Sequence, residues 1–151
     1  MRSEGSRKMP PLLRRAWYSL NQVFRQRISD LAITPDQYSI LRWLNETGGC
    51  GLTQKELTGL MSSDPNTIAA TLQRMETAGL VRRSPHQKDR RAKSVSIQEE
   101  GKLVFEKAQR IATGLQTEIL QELSPEEADT FLRLLERVAD GCSRKLSESR
   151  S

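Results

Sequence analysis

Asn66, Gln73 and Arg74 place two amides and a guanidinium on one short stretch. Arg82, Arg83, Lys88, Arg90, Arg91 and Lys93 follow soon after. An amide offers a donor beside an acceptor, and a guanidinium offers a planar fork of donors. Those are the groups that pair with base edges in a major groove. A run of Lys and Arg neutralises phosphates, the sequence-independent part of affinity for nucleic acid. Residues 81–93 hold six cationic side chains against one acid, Asp89, while the whole chain of 151 residues carries a formal net charge of +5. An ordinary solvated helix face and a solvated charge run are the plainer explanations of the same residues. The elements around them decide between the two.

Those elements form a sequence of start and stop signals. Thr53-Gln54-Lys55-Glu56 has the T-x-x-E form of a capping box and opens a short helix with Leu57, Leu60 and Met61 on its apolar face. Ser62-Ser63 is expected to end it, because short hydroxyl side chains compete for backbone bonds. Asp64 is a good N-cap, Pro65 suits the first helical position, and Gly79 is a natural stop. Across the helix between them, Ile68, Leu72 and Met75 share one side. Asn66, Ala70, Gln73 and Thr77 lie opposite, flanked by Thr67 and Arg74. Leu80 to Arg83 and Lys93 to Ile97 are expected as paired strands with a charged loop between them, and Gly51-Leu52 as a short third strand. Two helices, a tight turn and a basic hairpin make a winged helix-turn-helix, in which the second helix enters a major groove.

With these residues in view, the chain resembles the MarR family of transcriptional regulators. The resemblance rests on Leu52 to Leu57, Asn66-Thr67-Ile68, Arg74-Met75-Glu76, Gly79 to Arg83, Asp89-Arg90-Arg91, Val95-Ser96-Ile97 and Gly101, and extends upstream over Leu31 to Tyr38. It implies a mainly α fold with a small β-hairpin, a winged helix-turn-helix lobe flanked by N- and C-terminal dimerisation helices. It also implies that Arg91 reaches a minor groove while Asp89 braces the wing. The expected recognition-helix contacts are Asn66, Thr67, Ala70, Gln73 and Arg74. The expected wing and supporting contacts are Thr53, Gln54, Ser63, Arg82, Arg83, Lys88, Asp89, Arg90, Arg91 and Lys93. Two departures stand out. Ala70 occupies a position where the family often has a polar side chain, and it offers only a methyl. Ile97-Gln98 replaces the usual Leu-Thr, so the next helix lacks a strong N-cap.

The remaining chain is organised around this lobe. Residues 1–9 are expected as a flexible basic arm and 10–151 as a single domain, with dimerisation helices at 10–31 and 98–147 and the winged lobe at 34–97. Leu13, Trp17, Leu20, Phe24, Ile28 and Leu31 recur at helical spacing near the start, and Phe131, Leu135, Val138, Cys142 and Leu146 do so near the end. These stripes are wider than the lobe can cover, which calls for a larger monomeric bundle or a second chain; the two-fold symmetry of a palindromic site and the resemblance favour a homodimer. By resemblance, a small aromatic or phenolic effector would bind near Arg14, Trp17, Tyr18, Tyr38, Arg42 and Trp43.

Other chemistry is poorly supplied. Cys50, Cys142 and His86 cannot close a four-ligand zinc site without further groups. His86, the sole histidine, sits in the charged loop with no positioned nucleophile. No Gly-rich phosphate loop is present. No enzyme activity, cofactor or metal is therefore expected. No apolar run nears the ~20 residues that span a bilayer, and the N-terminal stretch lacks a signal-peptide core, so a cytoplasmic location is expected. The expected function is a sequence-specific double-stranded DNA-binding regulator, a ligand-responsive repressor acting as a homodimer on an inverted repeat. The alternative is a winged-helix adaptor that binds protein. A basic protein on an anionic membrane surface is a third reading, and it needs an exposed amphipathic first helix.

Overall fold

The computed structural model describes residues 7–48, 51–85, 88 and 93–151. In chain order these form α1 (Met9–Arg27), a 3₁₀ turn (Ser29–Leu31), α2 (Pro35–Glu46), β1 (Leu52–Thr53), α3 (Gln54–Leu60), α4 (Pro65–Thr77), β2 (Val81–Pro85), β3 (Lys93–Ile97), α5 (Glu99–Leu120) and α6 (Pro125–Ser149). This is the expected mainly α architecture with a small sheet. None of the described helices is long and apolar enough to cross a membrane.

The helix starts follow the sequence closely. Thr34, Thr53 and Ser124 each accept a backbone N–H three residues on, and Gln37, Glu56 and Glu127 accept the cap residue's own N–H in return. Each reciprocal pair satisfies donors that the first helical turn leaves orphaned. Helix α5 begins without a strong cap. The Gln98 N–H donates to the Leu80 carbonyl at 2.9 Å, and the Gln98 carbonyl accepts from Lys102.

Two helix ends differ from the sequence-based expectation. Ser62 adopts a left-handed backbone, with φ of 49°. Its N–H donates to the Gly59 carbonyl, and the Ser63 N–H donates to Thr58. Backbone geometry thus terminates α3, not competition from the serine hydroxyls. Gly79, with φ of 76°, closes α4 in the same way, and Leu80 N–H reaches back to Met75. The first helix stops at Arg27 and does not continue to Leu31. The Ile28 side chain is fully buried, and the chain then tightens into the 3₁₀ turn before Ala32 takes a left-handed conformation.

The chain divides into two compact units, Met1–Ala112 and Thr113–Ser151. In the first, Ile28, Ile40, Leu41, Leu44, Leu57, Leu72, Met75 and Val95 are fully buried. Each such side chain contributes about 1.5–3 kcal/mol over leaving it exposed. The sheet is antiparallel in the order β1-β3-β2, with Leu52 opposite Val95, and Val81 opposite Ile97. Gly101 lies so close to this base that an added Cβ would meet the Leu80 carbonyl oxygen. In the second unit, α6 buries none of its side chains. Phe131, Leu132, Leu134, Val138 and Leu146 are all exposed, and so is Cys142.

Candidate nucleic-acid interface

Helix α4 is held firmly on one side and open on the other. Ile68, Thr71, Leu72 and Met75 are buried, whereas Asn66, Thr67, Ala70, Gln73, Arg74 and Thr77 are exposed. The helical period of 3.6 residues produces this split from the sequence alone. At its start, Asp64 caps the helix twice over. Its Oδ1 accepts the Thr67 N–H at 2.9 Å, and its Oδ2 accepts the Thr67 hydroxyl at 2.6 Å. The hydroxyl bond, and then the N–H bond, hold the Asp64 carboxyl below its ordinary range. The Thr67 hydroxyl has thereby spent its proton and can only accept from another partner. Asn66 and Arg74 make no side-chain hydrogen bond to another described residue.

The two adjacent arginines of β2 behave differently. Successive strand residues face opposite sides, and Val81 is buried, so Arg83 points with Val81 toward α4 while Arg82 is exposed. The Arg83 N–H donates to Glu76 Oε2 at 2.8 Å. Its Nη2 donates to Glu76 Oε1 and to Gln73 Oε1, each at 3.2 Å. The Arg83 side chain is only 13% exposed. The Arg83 N–H and then its guanidinium pull the Glu76 carboxyl below its ordinary range. Sequence spacing grouped Arg82 and Arg83 as one basic pair. Alternation from Val81 was the available signal that they part.

Thr53 is likewise occupied, its hydroxyl accepting from Glu56 N–H at 3.1 Å. Gln54 is half-buried with an unpartnered Oε1. Ser63, Lys88 and Lys93 are exposed. Asp89, Arg90, Arg91 and His86 lie outside the described residues, as do Cys50 and most of the proposed basic arm.

The residues expected to hold an effector fall into separate settings. Tyr38 is half-buried, with its ring edge-on to Phe24 at 5.0 Å and stacked with Phe105 at 5.8 Å. Burial raises its phenol pKa. Arg42 lies 4.5 Å above the Trp43 ring and pairs with Glu46 at 3.1 Å, so its charge already has partners. Arg14, Trp17 and Tyr18 stand on exposed α1, Trp17 at 66% and Tyr18 at 64%. Among the described residues, no group of three or more His, Cys, Asp or Glu side chains could hold a metal ion.

Comparison with known proteins adds an independent line. The MarR family model matches residues 33–93, which is the segment from α2 into β3 just described. The transcriptional regulator HosA of Escherichia coli is 31% identical over 84% of this chain and 96% of its own. A mutant MarR from E. coli, solved with operator DNA, has a TM-score of 0.77 at 24% identity, over 85% of this chain and 91% of its own. Bordetella bronchiseptica BpsR, whose regulation of DNA binding by 6-hydroxynicotinic acid was the subject of its structure, has a TM-score of 0.79 at 24% identity, over 93% and 99%.

Proposed function

The chain belongs to the MarR family of winged-helix DNA-binding transcriptional regulators, and from that premise we propose that it acts as a homodimer on an inverted repeat in double-stranded DNA. The carrying observation is the outer face of α4. Asn66, Gln73 and Arg74 are exposed on a helix whose opposite side is locked into the core. Such a face offers base edges the amide of Asn66, the guanidinium of Arg74 and the NH₂ of Gln73 on a rigid support, the requirement for direct readout. Arg82, Lys88 and Lys93, with Arg90 and Arg91 of the wing, supply phosphate and minor-groove contacts. The uncovered face of α6 supports the homodimer, because an inverted repeat needs two-fold symmetry and an exposed apolar stripe needs a partner. A dimer seated on its operator represses by occlusion.

Ligand response is part of the same proposal. An anionic aromatic effector that prefers a dimer with the wrong spacing between recognition helices would lower DNA affinity by its differential binding. The ligand-regulated BpsR supports looking for one of this class. Here the effector would use exposed Trp17 and Tyr18, with Arg14 the nearest uncommitted candidate for its charge. Arg42 is less suited, since Glu46 and Trp43 already hold it.

The test is selection from random double-stranded DNA at two salt concentrations. An enriched inverted repeat, bound far above bulk DNA, is expected. Weak, steeply salt-dependent binding without an enriched motif would favour the protein-binding adaptor instead. Arg91→Ala should weaken binding to the enriched site; unchanged affinity would remove Arg91 from the interface.

A further inference from the structure

The geometry points to Arg83 as a specificity-determining positioning residue: it fixes the amide of Gln73 so that this recognition-helix side chain reads as a hydrogen-bond donor. The inference rests on the DNA-binding reading above and adds which base chemistry one position selects.

Arg83 can only donate. Its Nη2 lies 3.2 Å from the Gln73 side-chain oxygen, so the oxygen side of that amide faces the strand and the NH₂ faces away. The orientation is set by chemistry, not by a choice between two similar atoms. The guanidinium is itself held. Its Nη2 also binds Glu76 Oε1, the Arg83 N–H binds Glu76 Oε2, and the side chain is mostly buried with no described partner for Nε. Glu76 and Gln73 sit three residues apart on α4, so this one nitrogen, Nη2, with the backbone N–H, ties β2 to a single helical turn. Gln73 itself remains exposed.

A free glutamine can pair with adenine by accepting from N6 while donating to N7. With its oxygen turned to Arg83, Gln73 keeps its donor hydrogens for the groove. Guanine presents two major-groove acceptors, N7 and O6, and no major-groove donor. Gln73 should therefore favour guanine over adenine at the base pair it faces. Arg83 exerts this preference without touching DNA.

The experiment is site selection from random double-stranded DNA with the full chain, in wild type and in Gln73→Ala, Arg83→Lys and Arg83→Met. Gln73→Ala identifies the base pair concerned. In wild type, guanine should exceed adenine there by about fivefold or more, the scale of one good base contact. Arg83→Lys keeps the positive charge, but its ammonium ends one atom short of the Nη2 position that makes both side-chain bonds. It should bring that preference below about twofold while leaving other positions and the salt dependence unchanged. Arg83→Met should give the same positional loss. Arg83→Lys tests the point even if the methionine variant folds poorly, and thermal unfolding of each variant separates the two effects. Retention of the guanine preference in Arg83→Lys would overturn the inference. So would uniform weakening on all sequences in Arg83→Met with a salt slope reduced by about one, the mark of a lost phosphate contact. A wild-type motif with unaltered Arg83 variants would sink this inference alone; no motif in wild type would sink the DNA-site reading with it.

Discussion

The winged lobe and α6 start from the same local instructions and end in opposite states of burial. Thr34, Thr53 and Ser124 build the same reciprocal cap. Both regions carry apolar residues at helical spacing. Yet Leu57, Leu72 and Met75 are fully buried, while Phe131, Leu134 and Val138 stay exposed. Capping and periodicity specify that a helix forms and which face is apolar. They do not supply the surface that covers that face. Most helical stability in proteins comes from such packing, not from propensity. The lobe finds its cover within one chain, through short connections among α2, α3, α4 and the sheet. The stripe on α6 is unserved, and in the proposed dimer a second copy covers it.

The largest expected effect is in the lobe. Leu72→Ala should cost about 2–5 kcal/mol in urea denaturation, the range for a fully buried leucine truncated in a close-packed core. That loss should not depend on protein concentration. Leu134→Asp should act differently. It should weaken self-association by roughly 30-fold or more, on the scale of about 2 kcal/mol for a buried interface residue. Sedimentation should show monomer where wild type shows dimer, and melting temperature should lose its dependence on concentration. If Leu134→Asp leaves the oligomeric state intact, or Phe131→Ala costs as much as Leu72→Ala at every dilution, the contrast between the regions fails.

The lobe was legible in the sequence because its signals are local. A capping residue, a Pro at the first helical position and Gly79 each act within a few residues. They placed α3, α4, the hairpin and even the two-residue β1. The failures came where side chains from different elements meet. Arg83 was grouped with the wing cations although alternation from the buried Val81 turns it inward, and its partners Glu76 and Gln73 belong to another element. The end of α1 was placed too late because Leu31 keeps the helical stripe, although the chain has already tightened after Ile28. Ser62 shows the right boundary with the wrong cause: the stop is real, but a left-handed backbone makes it. The effector candidates were chosen by residue type. Type alone could not reveal that Tyr38 stacks on Phe105 and that Arg42 is paired.

A smaller effect tests whether the local terms are truly equal in the two regions. Thr53→Ala and Ser124→Ala should each weaken the start of their helix by about 0.5–2 kcal/mol, since both remove an N-cap oxygen. Amide hydrogen exchange would read each helix separately. Comparable losses of protection in the first turns of α3 and α6 would locate the difference between the regions in packing. A much larger loss at Ser124 would mean that α6 depends on its cap because it lacks cover.

The smallest expected effect is a pH dependence confined to the lobe. Asp64 is held below its ordinary range first by the Thr67 hydroxyl and then by the Thr67 N–H. Glu76 is lowered first by the Arg83 N–H and then by its guanidinium. A carboxyl whose pKa is lower in the folded state binds fewer protons there than in the unfolded chain. Its contribution is therefore present above the unfolded value and is lost as pH falls toward the folded one. Both carboxyls are well solvated, so the effect is modest. Asp64→Asn keeps an oxygen that can cap α4 about as well as aspartate but removes the titration. The variant should be slightly less stable than wild type at neutral pH and converge with it as pH falls from about 5 to 3, so that its own loss of stability is shallower. If the two acid profiles superimpose, the double bond from Thr67 contributes nothing to how the recognition helix is held. The rigidity of that helix would then rest on its buried face alone.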